Sequence, residues 1–212
     1  MICGAPTTLK GLNNLFHSCN FNKCSSIFIH SQYSFALNFF YMKQLFFTIC
    51  LLIASFAGFS QQNFEIISER ANEKTFKGII SREILEKDTS FHWYGENQKG
   101  YTPNKDAIEG LSKHKDSIHL IAFMGTWCED SHVIIPKFFS LLDASGFPKN
   151  KVTLIGVDRK KTTFSDLTGA LAIKNVPTIM IMKNGREIGR VVEYGKFGLF
   201  DMELGSILKT MN

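Results

Sequence analysis

The sequence predicts an α/β domain built on a central mixed β-sheet flanked by helices, and three observations carry that prediction. Two nearly unbroken apolar runs, Ile118 to Met124 and Val152 to Val157, are separated by one helical pattern; that is a βαβ unit with parallel strands covered on both faces. Asn184-Gly185, between the apolar run Ile179 to Met182 and the strand Ile188 to Tyr194, is a two-residue hairpin signal that adds an antiparallel pair. Phe197, Phe200, Leu204, Ile207 and Met211 recur at helical spacing and make one apolar helix face at the C-terminus.

From the N-terminus, the first 60 of the 212 residues hold only Lys10, Lys23 and Lys43 as charged residues, while all 19 acidic residues come later. From Met42 the chain reads as a secretory signal: a basic start, the apolar run Leu45 to Ala57, and small residues Gly58 and Ser60 before Gln61. That run is shorter than the roughly 20 residues a membrane-spanning helix needs. Residues 1–41 are then expected to be an over-called start, and 42–60 a signal peptide cleaved after Ser60, giving a periplasmic or secreted protein. Cys3, Cys19, Cys24 and Cys50 fall in the removed part. Cys128 remains as the one thiol, without an internal disulfide framework.

Residues 61–104 read as an N-terminal extension packing on the domain of residues 105–212, with aromatics as anchors and a short helix after Ser81. Asn104 is an N-cap for a helix through Ala107, Ile108 and Leu111 that ends near Lys115. The strand Ile118 to Met124 leads to Gly125-Thr126-Trp127-Cys128 and a helix that stops at Gly146 and Pro148, with Pro136 inside it as a kink. After the second buried strand, Asp166 to Ala172 is a weaker helix, and Val176-Pro177-Thr178 turns into the hairpin. The residues after Ser60 carry 21 basic and 19 acidic side chains, a balance of +2. It gives no signal for nucleic acid or a membrane surface.

Chemistry concentrates at Cys128. At a helix start, unsatisfied N–H groups and the positive dipole end favour thiolate, the nucleophilic form. Ser131 at i+3 and His132 at i+4 share its helix face and are expected to support the thiolate, Ser131 by a hydrogen bond and His132 when protonated. Glu129 and Asp130 oppose it by charge. The competing expectation for His132 is a solvated helix residue.

These motifs together resemble the thioredoxin superfamily over roughly the last half of the chain. Trp127-Cys128 after a buried strand is similar to the family's Trp-Cys-x-x-Cys, Pro136 lies eight residues after the cysteine, and Val176-Pro177-Thr178 is similar to its cis-proline turn. The secreted context resembles secreted bacterial thioredoxin-like proteins. The resemblance implies a thioredoxin-like fold, a cis Val176–Pro177 bond, and a substrate-binding surface of Trp127, Val176 and Pro177. Three positions depart from the pattern. Ser131 stands where the family has its resolving cysteine, Glu129-Asp130 replaces Gly-Pro, and Ala122 takes the place of a buried aspartate. A serine cannot attack a mixed disulfide.

The expected function is therefore monothiol thiol–disulfide exchange, isomerase-like or deglutathionylating, with Cys128 and Ser131 as catalytic residues and Glu129, Asp130 and His132 as modulators. Its partners are protein thiols and disulfides or a glutathione-like thiol, plus an external reductant; no cofactor is required. One alternative is a redox-inactive module that binds extended or cysteine-containing polypeptides. Another is a Cys/His metal carrier, ranked last because two ligands are too few for a closed site.

Overall fold

The computed structural model describes residues 41–49, 63–68, 70 and 73–211. The chain divides into two units, residues 1–61 and 62–212. In the first, residues 41–49 are helical; the rest of the expected signal peptide and nearly all of the expected over-called segment lie outside the described residues. Among the described residues, no helix is long and apolar enough to cross a membrane.

The second unit is a six-stranded mixed sheet flanked by helices. Its strands are β1 (Phe64–Ile67), β2 (Thr75–Ile80), β3 (Ile118–Met124), β4 (Val152–Gly156), β5 (Thr178–Lys183) and β6 (Arg186–Val192), in the order β1-β2-β4-β3-β5-β6. The βαβ unit is present: β3 and β4 run parallel, with Leu120 opposite Val152 and Met124 opposite Gly156. β5 lies antiparallel to β3 on its other side and returns through Asn184-Gly185 into antiparallel β6. Both turn residues have positive φ, at 52° and 75°, the twist that a two-residue hairpin demands.

Residues 64–80, expected as part of a packed extension, supply two strands to this sheet. β1 and β2 form a hairpin, and β2 pairs antiparallel with β4. The join requires Gly156: a Cβ there would sit 2.1 Å from the Phe76 carbonyl oxygen, so any side chain would force β2 away from β4.

Among the described residues the unit also holds six α-helices: α1 (Arg82–Lys87), α2 (Trp93–Gln98), α3 (Lys105–His114), α4 (Glu129–Ser145), α5 (Leu167–Ala170) and α6 (Phe200–Lys209). Asn104 caps α3 by accepting from the Asp106 and Ala107 N–H groups at 2.9 and 3.2 Å. α4 passes through Pro136 and stops at Gly146 in the left-handed conformation. The strand β3 alternates between two cores. Ile118, Leu120, Ala122 and Met124 join Ile134, Phe138, Leu141 and Leu204 in the larger one, while Phe123 packs with Ile155, Val157, Val176 and Met180 in the smaller. That division is the physical content of an apolar run buried on both faces.

The C-terminal face is shorter than its spacing suggests. Phe197 is not part of it: Glu193, Gly195 and Gly198 all have positive φ, the chain turns there, and Phe197 is exposed ahead of α6. The Lys196 N–H donates to Glu203 at 2.7 Å and ties that turn to α6.

Candidate active site

β3 ends at Met124, and the four residues after it deliver Cys128 to the head of α4. The Cys128 N–H donates to the Gly125 carbonyl at 3.0 Å, closing the turn, and its own carbonyl accepts from the His132 N–H at 3.0 Å, the first bond of the helix. Cys128 is thus the N-cap residue, half-buried and free. Gly125 is required for this path, because a Cβ there would meet the Trp127 ring at 2.6 Å.

The sulfur lies beside the turn before β5. The Val176–Pro177 bond is cis, and the Cys128 thiol donates to the Val176 carbonyl at 3.2 Å. The Glu193 N–H donates to the Pro177 carbonyl at 2.8 Å, linking the segment after β6 to the same turn. Trp127 is fixed by its indole N–H, which donates to the Val157 carbonyl at 3.0 Å. Over its ring lies the Arg159 guanidinium, 5.1 Å from the centroid. Arg159 in turn donates to both Glu73 carboxylate oxygens at 3.1 and 2.6 Å, which holds the Glu73 carboxyl below its ordinary range.

Ser131 and His132 behave differently from expectation. Ser131 is fully buried, and its hydroxyl accepts from the Gly125 N–H at 3.2 Å; among the described residues it makes no hydrogen bond to the Cys128 sulfur. The reason is satisfaction of a buried backbone donor that would otherwise lack a partner. His132 is not a solvated residue. Its ring stacks on Trp93 with centroids 4.2 Å apart, and Nε2 donates to the Thr126 carbonyl at 2.7 Å. Desolvation is the main influence on it and lowers its pKa, which disfavours the protonated ring. Burial therefore works against a positive charge on His132 beside the sulfur.

Glu129 and Asp130 occupy the first turn of α4, Glu129 exposed and Asp130 half-buried. The phenol of Tyr194 stands within electrostatic reach of Asp130 and Cys128; desolvation first, then Asp130, raises its pKa. Ala122 is fully buried in the larger core, opposite Leu154 and Ile179. Among the described residues no group of three or more His, Cys, Asp or Glu side chains is placed to hold a metal ion.

Thr126, Trp93, Glu73, Arg159 and Tyr194 are the site residues that sequence reasoning missed. Thr126 donates to the Lys74 carbonyl at 2.8 Å and accepts from the Phe76 N–H at 3.2 Å, so the cysteine loop is bonded directly to the entry of β2. A threonine in the loop was the only visible signal, and it is too common to single out.

Comparison with known proteins identifies the family. The family description "Thioredoxin" matches residues 104–198. A thioredoxin of Echinococcus granulosus is 30% identical over 97 residues, which are 46% of this chain and 84% of the relative. Thioredoxin O2 of Arabidopsis thaliana, solved in its oxidized state, is 25% identical and covers 49% of this chain and 84% of its own, with a TM-score of 0.33. Reduced Schistosoma mansoni thioredoxin is 23% identical over 52% of this chain and 95% of its own, with a TM-score of 0.34. The chain belongs to the thioredoxin family, and thiol–disulfide redox chemistry is the general class of function to which its site belongs.

Proposed function

We propose that the protein carries out monothiol thiol–disulfide exchange at Cys128. The observation that supports this best is the Cys128 thiol at the head of α4, the one free thiol among the described residues and 3.2 Å from the Val176 carbonyl, with Ser131 three residues on where a second thiol would resolve the reaction. The Cys128 sulfur, as thiolate, attacks a disulfide R–S–S–R′; the Cys128–S–S–R bond forms, R′–S− leaves, and it takes up the proton that Cys128 released. An external thiol R″–SH then attacks the mixed disulfide, giving R–S–S–R″ and restoring the Cys128 thiol. No net electrons are gained or lost by the protein, so the cycle shuffles or deglutathionylates and does not reduce on its own account.

In this reading Trp127 and Pro177 flank the sulfur. The Val176 carbonyl exchanges its bond with the Cys128 thiol for one to an extended substrate. Residues 42–60 direct the chain to the periplasm or the exterior, where its partners are oxidised or glutathionylated proteins.

The test is incubation of the full chain with a glutathionylated or disulfide-bonded model protein, followed by intact-mass measurement. The expected result is an adduct at Cys128 that is absent in Cys128→Ala and disappears when an external thiol is added. No adduct above the Cys128→Ala background would overturn the proposal and leave the redox-inactive polypeptide-binding module as the reading.

A further inference from the structure

Trp127 stands next to Cys128 in the chain, and its half-buried ring is held from three sides. The indole N–H donates to the Val157 carbonyl at 3.0 Å. The ring lies so close to Gly125 that a Cβ there would be 2.6 Å from it. Over its face lies the Arg159 guanidinium, 5.1 Å from the centroid, a planar cation drawn to the ring quadrupole. Arg159 is itself fixed at both ends. Its backbone follows Asp158, a buried carboxylate that accepts from the Lys77 ammonium at 3.0 Å and the Thr162 N–H at 2.7 Å. Its guanidinium forks onto both Glu73 oxygens at 3.1 and 2.6 Å, and the Thr75 hydroxyl donates to the same carboxylate at 3.3 Å. Glu73 lies ahead of residues 104–198, which match the family, and the next residue, Lys74, accepts from the Thr126 hydroxyl at 2.8 Å. The segment entering β2 thus grips both residues before the sulfur, Thr126 directly and Trp127 through Arg159.

We infer that Glu73 and Arg159 are positioning residues for the exchange reaction: together they hold the Trp127 ring in the one orientation that leaves the Cys128 sulfur open to an incoming disulfide. The inference rests on the proposed exchange at Cys128 and gives the entry of β2 a part in it. Attack on a disulfide depends on the approach to the sulfur, so a ring free to turn on the residue beside it spends part of its time in the way. The indole bond to Val157 fixes one edge of the ring and leaves its tilt to the guanidinium on its face. A fork onto a carboxylate suits this task, because two parallel bonds fix the plane of the guanidinium as well as its place. Lysine at position 159 keeps the charge opposite Glu73 and has no plane to lay on the ring.

The test uses the full chain with glutathione disulfide as the probe. The bond from the Cys128 sulfur to one glutathione sulfur forms, the other glutathione leaves as thiolate, and second-order rates of adduct formation are read by mass. Arg159→Gln and Glu73→Gln are each expected to slow the reaction about tenfold, within the roughly hundredfold that a small misplacement can cost. The shared direction is what marks positioning. One change removes a cation and the other an anion, so a direct charge effect on this anionic probe would move the two rates oppositely. Arg159→Lys is expected to stay slow, while Glu187→Gln, which breaks an ion pair of similar exposure on β6, reacts as wild type. A second readout needs no reaction: quenching of Trp127 fluorescence by acrylamide, in a Trp93→Phe background, should rise in both glutamine variants. The pair is partly exposed and contributes little to stability, so both variants are expected to fold, and unfolding curves check that. Wild-type rates in the glutamine variants, rates that move in opposite directions, full recovery by Arg159→Lys, or unchanged quenching each overturn the inference and leave exchange at Cys128 intact. A wild type that forms no adduct defeats exchange itself, and the positioning role with it.

Discussion

At the scale of single residues, the position after which the site is named matters less than the one three residues on. Ser131 is fully buried and its hydroxyl is committed to the Gly125 N–H, so it serves the loop that carries Cys128. A thiol at that position lies one helical turn from Cys128, on the same face, and supplies the missing nucleophile within the molecule. Ser131→Cys is therefore expected to resolve its own mixed disulfide. Its adduct with a model disulfide should decay at least about tenfold faster than wild type without added thiol, because an intramolecular attack replaces a bimolecular one. A time course of intact mass after removal of free substrate measures this. An adduct as long-lived as that of wild type would show that Ser131 does not stand in line with the sulfur–sulfur bond.

At the scale of elements, the join between the cysteine loop and β2 is made by one hydroxyl. Thr126→Val removes the bonds to Lys74 and Phe76 together and leaves a buried N–H without an acceptor. The expected destabilisation is about 1–3 kcal/mol, read from denaturant unfolding, and Thr126→Ser should recover most of it. A valine variant as stable as wild type would mean that water replaces the hydroxyl. This join also explains what could be read in the sequence and what could not. β3 is announced by seven consecutive residues with no strongly charged side chain, α4 by its stop at Gly146, and the β5–β6 hairpin by Asn184-Gly185; these are local signals, and Cys128, Trp127 and Pro177 are placed by them. β2 is different. Its Thr-Phe-Lys-Gly-Ile-Ile alternates weakly and has a glycine with φ of 118° in its middle, so its strand character comes from pairing with β4, far along the chain. The stacking of His132 on Trp93 is likewise a meeting of two helices separated by more than 30 residues, and no spacing rule within α4 shows it.

At the scale of the whole molecule, two histidines, His114 buried and His132 half-buried, make stability depend on pH. His114, at the end of α3, is 6% exposed, and its Nε2 has no hydrogen-bond partner among the described residues. Desolvation lowers its pKa, and Lys113 and Lys183 act in the same direction. His132 is lowered mainly by desolvation and further by His92, against the opposing effects of its Thr126 bond, Glu129 and Glu73. In both cases the unfolded chain binds the proton more readily than the folded one. Their contribution to stability is fully present above the unfolded value near 6.5 and is lost as pH falls from there towards the lowered native values. The slope is at most about 1.4 kcal/mol per pH unit for each histidine. The carboxyls of Glu73 and Asp88, held low by Arg159 and by the Ser90 backbone N–H respectively, add their own loss only at more acidic pH. Urea unfolding at pH 7.5, 6.5 and 5.5 should therefore show stability nearly level across the first interval and falling across the second. His114→Leu removes one of the two groups together with its unpaired nitrogen, and the fall between pH 6.5 and 5.5 should become shallower. Equal stability at pH 7.5 and 5.5 in the wild type would mean that both histidines take up protons without unfolding, with the Trp93 stack and the α3 terminus opening to water first.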